Sequence, residues 1–246
     1  MIPLLLAAAV ASAAPAPASR ALITAPAARS TAQCPDVVTP EALVCRALDS
    51  QKSGDSQAAA QGFEEAAKAS PDKDPKTARM WAAAGNLWIA AGQAGKAAVD
   101  LDKALALPGL EGAQHGEALL DRARAAEAQN DLATARAKLN EAGATIGQDP
   151  FYWYFSASLA MREGDRIGAH NAIDQALKLA PRDPTILFEA GHVADYTGDD
   201  DQARVYWEQA SAGDPNGPVG KAAAKAIEML GVTPTVKTDP APAKSR

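Results

Sequence analysis

Between residues 40 and 231 bulky apolar side chains recur at helical spacing, each followed four positions later by Ala or Gly, with charged residues filling the positions between. Positions four apart lie one helical turn apart on the same face, and the small residue lets a second helix approach closely. The pattern repeats. PFYWYFSASLAMREGDRIGAHNAIDQALKLAPRD (150–183) lies over PTILFEAGHVADYTGDDDQARVYWEQASAGDPNG (184–217) with a period of 34 residues. Trp153 falls on Leu187, Ala157 on Gly191, Gly164 on Gly198, Ile173 on Trp207 and Pro181 on Pro215.

The same slots are filled upstream. Leu119, Ala123, Asn130, Ala135, Leu139 and Ala142 occupy them in 116–149; Trp81, Gly85, Gly92, Ala97, Leu101 and Ala104 do so in 78–111. The first unit, 40–73, supplies Leu43, Ala47, Gly54, Ala59, Phe63 and Ala66. Each unit therefore predicts two helices. Gly or Asn before the second helix supplies the left-handed residue that ends the first, and Pro near the unit's end stops the second. The extra residues at 74–77 and 112–115 read as longer turns between units. A helix pair of this size cannot bury its apolar face alone, so neighbours must stack into a solenoid. After the fifth unit, PVGKAAAKAIEMLG (218–231) predicts a single amphipathic helix, with Ala222, Ile227 and Leu230 inward, covering the open end.

These residues and this period resemble the tetratricopeptide repeat (TPR) over residues 40–217. Arg46 and Arg122 depart from the family, which more often has Leu there. The resemblance implies an all-α, right-handed superhelical solenoid of about five helix pairs plus a C-terminal capping helix. It also implies that the first helix of each unit lines a concave groove. On that basis Asn86, Arg124, Phe151, Tyr154, Phe155, Phe188 and His192 are the candidate partner-binding residues, with Ser158 and Met161 beside them. The carboxylate clamp by which some members hold chaperone tails is not present, because Glu117, Asp121, Phe151, Phe155, Thr185 or Glu189 stand where its cations would fall. The aromatic run FYWYF (151–155) divides between two roles. Trp153 shares the repeat-core slot, while its neighbours either face the groove or fill the joints between units.

Composition narrows the function. A net charge of −6 disfavours a nucleic-acid surface, which needs clustered Lys and Arg. His115, His170 and His192 fall in separate units without metal-ligand or nucleophile spacing, and there is no glycine-rich phosphate loop. Asp199, Asp200 and Asp201 suit the positive end of the following helix better than a Ca²⁺ site. No enzyme activity, cofactor or metal is expected.

The ends read differently. MIPLLLAAAVASA opens the chain as an apolar run closed by a small-x-small site, so residues 1–14 are expected to be a signal peptide, although no Lys or Arg precedes the run. Residues 15–39 read as a Pro/Ala-rich linker and 232–246 as a disordered tail. Cys34 and Cys45 suit an oxidising compartment, where they can close one short loop; the alternative is buried thiols. No membrane-spanning segment is expected once the signal is removed. The reading is a periplasmic or secreted scaffold that binds a protein or peptide. The alternatives are a module that binds envelope glycan or a small ligand through the aromatics near 151–155, and an accessory part of a partner enzyme.

Overall fold

The computed structural model describes residues 34–230, and their regular structure is helical throughout. The first pair is α1 (Pro40–Lys52) and α2 (Ser56–Lys68), the second α3 (Pro75–Ala90) and α4 (Ala94–Ala106), the third α5 (Ala113–Ala128) and α6 (Leu132–Ile146). The fourth is α7 (Pro150–Glu163) and α8 (Arg166–Leu179), the fifth α9 (Pro184–Thr197) and α10 (Asp200–Gly213), and α11 (Pro218–Leu230) follows. The signal peptide expected over 1–14 and the tail over 232–246 lie outside the described residues, as does most of the linker.

Local sequence sets the helix ends. Asp74, Asp149 and Asp183 accept backbone hydrogen bonds at the N-termini of α3, α7 and α9, each directly before a proline that needs no partner for its nitrogen. Asp199 caps α10, accepting from the Gln202 amide at 3.0 Å, and Asp200 and Asp201 occupy its first turn. Between the two helices of every pair stands one residue with positive φ: Gly54, Gly92, Asn130, Gly164 or Gly198, always in the same repeat slot. Only Gly, and with more strain Asn, takes that conformation readily.

Within each pair the helices cross at the small residues. A Cβ on Gly85 would stand 2.5 Å from Leu101 Cγ, and one on Gly191 would stand 2.2 Å from Trp207 Nε1. The core then runs lengthwise as a chain of clusters, each bridging one unit to the next: Leu119, Leu139 and Ile146 with Phe155 and Leu159, then Ile173 with Ile186 and Val193, then Leu187 and Trp207 with Ala223. First helices also pack on first helices, α3 on α5, α7 on α9 and α9 on α11, whereas no two second helices pack comparably. Helices crowded together lie on the inside of a curve, which puts α3 with α5 and α7 with α9 on the concave side; Arg162 of α7, donating to the Glu127 carbonyl of α5 at 2.9 Å, joins the two pairs into one wall.

Three differences from the sequence reading have physical reasons. The extra residues at 74–77 and 112–115 mostly lengthen helices rather than turns: α3 and α5 are each 16 residues long, against 14 for α7 and α9. Arg46 is not a flaw in the first unit. It donates to the carbonyls of Pro35 at 2.6 Å and Val37 at 3.1 Å, while Cys34 and Cys45 are joined by a disulfide, so 34–39 is strapped onto α1. Arg122 reaches back to Asp102 of α4, Nε to Oδ1 at 2.7 Å, tying the second unit to the third. At the far end Ala222, Ile227 and Leu230 of α11 pack on the last cluster, as a cap does. No described helix is long and apolar enough to cross a membrane.

Candidate functional site

The concave wall carries a polar relay between units. Asn86 Nδ2 of α3 donates to Asp121 Oδ2 of α5 at 2.7 Å, and Arg124 Nη1 donates to Asp121 Oδ1 at 2.9 Å. Asp121 is only 6% exposed. Burial pushes its carboxyl above the usual carboxylate range, against the opposing pull of the Arg124 charge and the Asn86 bond. Arg124 is thus engaged by a carboxylate of its own helix. One turn on, Arg162 of α7 donates to the Glu127 backbone carbonyl at 2.9 Å, to the Glu127 side chain and to Asn130 Oδ1 at 2.9 Å.

Further along, the wall becomes aromatic. The Phe151 and Tyr154 rings meet edge to face with centroids 6.3 Å apart. Both are half-buried, and Tyr154 packs against the clusters on either side of α7. Burial and the nearby Glu189 charge raise the Tyr154 hydroxyl far above its usual pKa, with Arg124 opposing, so this ring lies within the fields of both α5 and α9. Phe155 and Phe188 sit deeper, each 8% exposed and built into the core clusters. Tyr152, beside Phe151, is buried too, while Trp153 stays half-buried and donates its indole N–H to the Gly147 carbonyl at 2.8 Å.

On α9 the half-exposed His192 ring stacks edge to face on Phe188 at 4.3 Å and on Trp207 at 5.6 Å. Its Nδ1 lies 3.5 Å from Glu189 Oε2. Asn86 and Arg124 are therefore linked by one buried acid, Asp121, and a second, Glu189, lies beside His192; sequence reasoning placed neither acid in the site. The available signal was positional: both stand at the sixth residue of their units, Glu189 among apolar neighbours and Asp121 between Leu120 and Arg122.

His115 stands in the first turn of α5, and His170 lies on the exposed surface of α8, where it faces Asp174 at 3.6 Å. The Cys34, Cys45 and Asp49 ligand atoms come within 4.8 Å of one another, but the disulfide consumes both thiolates that a metal would need. Lys96 over the Trp88 ring at 4.2 Å and Lys103 over Trp81 at 3.9 Å decorate the α3–α4 pair.

No protein-family model matches the chain, and no curated protein matches it. Solved structures do. PilW, a widely conserved type IV pilus biogenesis factor, superposes with a TM-score of 0.64 at 20% identity, over 77% of this chain and 84% of that one. YrrB, a TPR protein with an unusual peptide-binding site, gives 0.52 at 17% identity over 75% and 91%. Pseudomonas aeruginosa PilF gives 0.59 at 16% identity over 78% and 83%. At these identities the likeness establishes the fold, which is the TPR solenoid.

Proposed function

We propose that this TPR solenoid is a non-enzymatic scaffold that holds an extended segment of another protein against the wall of α3, α5, α7 and α9. The observation that carries it is the continuity of that wall. Asn86, Arg124, Phe151, Tyr154 and His192 come from four successive units; Asp121 ties α5 to α3, and Arg162 of α7 reaches back to Glu127 of α5. Phe155 and Phe188 back the surface from the core. A long strip of rings beside polar groups suits a polypeptide, which offers alternating side chains and backbone along its length. YrrB's peptide-binding site is a precedent on the same fold.

Export to the envelope fits the apolar leader read at residues 1–14, the disulfide at Cys34–Cys45 and the pilus-biogenesis role of PilW. The test uses the mature chain as bait in envelope extract, beside a Phe151→Ala/His192→Ala variant and an Ile167→Glu variant altered on the exposed face of α8. All three baits are first required to show the same helical circular dichroism. A protein retained by the mature chain and by Ile167→Glu but lost from the double variant places the site on the wall. Loss from Ile167→Glu alone moves it to the back of the solenoid. Sedimentation of the chain with purified cell-wall sacculi would instead favour the glycan reading.

A further inference from the structure

Two units of the wall carry an acid in the same slot, and only one of the acids is paired with an arginine. In the third unit Asp121 is held by Arg124, three residues on, and by Asn86 from the preceding unit. In the fifth unit the corresponding acid is Glu189. The slot of Arg124 is taken there by His192, and the slot of Asn86 by Ser158. Glu189 is 5% exposed, its Oε1 makes no hydrogen bond, and its Oε2 meets the His192 ring nitrogen Nδ1 only at a long 3.5 Å. A buried carboxylate in this condition is costly and calls for a cation.

We propose that Glu189 receives an arginine side chain of the extended partner segment, entering the wall beside His192; this rests on the scaffold reading above. The guanidinium takes the part that Arg124 plays beside Asp121, but from outside the chain. Arginine fits better than lysine for two reasons. Its planar fork can donate to both carboxylate oxygens, and its face stacks on rings, of which the half-exposed His192 is at hand beside Glu189. The carboxylate torsion of Glu189 is soft, so Oε1 can turn toward the incoming donor without moving the helix. The net charge of −6 favours the approach of a basic segment.

The test is fluorescence anisotropy of a labelled peptide of alternating Ala and Arg, against its counterparts with citrulline or lysine in place of arginine. The full chain with its disulfide intact is compared with Glu189→Gln, with Glu208→Gln, which removes an exposed charge of α10, and with His192→Arg, which restores the internal cation. Circular dichroism verifies that all are folded alike. The wild type is expected to prefer arginine over citrulline by about tenfold or more, the equivalent of one good charged contact. Glu189→Gln and His192→Arg should bring the ratio near one, and Glu208→Gln should leave it. Equal ratios in wild type and Glu189→Gln, or equal losses in Glu189→Gln and Glu208→Gln, would overturn the proposal. The scaffold reading fails separately. A captured partner that survives Glu189→Gln but not Phe151→Ala/His192→Ala sinks only the arginine; one that survives both sinks the wall.

Discussion

Asp121 of α5 and Asn86 of α3 meet at 2.7 Å across the boundary between the second and third units, and Arg124 closes on the other oxygen of the same carboxylate. A buried acid thereby pins two first helices in one register on the concave side. Arg124→Ala is expected to lower stability by about 1–3 kcal/mol, because it leaves Asp121 charged, buried and short of a partner. In an Asp121→Asn background the same change should cost clearly less. Urea unfolding of the four chains of that double-mutant cycle gives the coupling, and additive losses would show that the three side chains do not act together.

Gly191→Ala sets two effects in opposition. Helix propensity favours Ala over Gly by about 0.8–1.0 kcal/mol. The new methyl, however, would lie 2.2 Å from the Trp207 indole nitrogen, which donates to the Phe188 carbonyl at 3.0 Å. Overpacking of this kind costs about 1–3 kcal/mol, so a net loss of stability is expected, with a shift in tryptophan emission. A melting temperature above wild type would mean that α9 and α10 can separate freely.

Reduction should act on one end of the molecule. Breaking Cys34–Cys45 is expected to lower stability by about 2–3 kcal/mol through the freed loop, and to release 34–39 from α1. Arg46→Ala should give a smaller loss, since the strap keeps its covalent tie while losing the bonds to Pro35 and Val37. Hydrogen exchange is the discriminating readout. Faster exchange confined to α1 and α2 is the expected result, and uniform acceleration along the chain would contradict it.

Asp100 of α4 gives a pH dependence. Burial raises its carboxyl, with its Lys103 contact at 3.1 Å opposing. Folding therefore favours the protonated acid. Its contribution to stability is greatest below the ordinary carboxylate pKa and is lost as pH rises through the raised folded value. Asp100→Asn should accordingly reduce the fall in melting temperature between about pH 4 and pH 7, relative to wild type. An unchanged difference would show that the carboxyl titrates normally.

Much of the architecture was legible because it rests on local rules. The slot shared by Gly54, Gly92, Asn130, Gly164 and Gly198 must bend the chain the same way each time, and few residues can do so. The close crossings at Gly85 and Gly191 likewise write themselves as small residues at a fixed period. What stayed hidden depends on partners far apart in sequence. Arg46 and Arg122 look like errors in a repeat until Pro35, Val37 and Asp102 are beside them. Asp121 and Glu189 look like solvated acids, because no periodicity reports that one carboxylate is bound from the preceding unit and the other is not. Among the aromatics, helical spacing alone could not tell that Tyr152 turns inward while Trp153 remains half-buried.

The packing has a mechanical consequence. No two described helices more than two apart in the chain make substantial contact, so each unit is held only by its neighbours. Such an object behaves as a spring. Small rotations at successive joints add up, and the mouth of the groove can widen or narrow without breaking any core cluster. Pulled from its ends it should lengthen stepwise, one helix pair at a time, with the strapped first pair resisting beyond the others while its disulfide is closed.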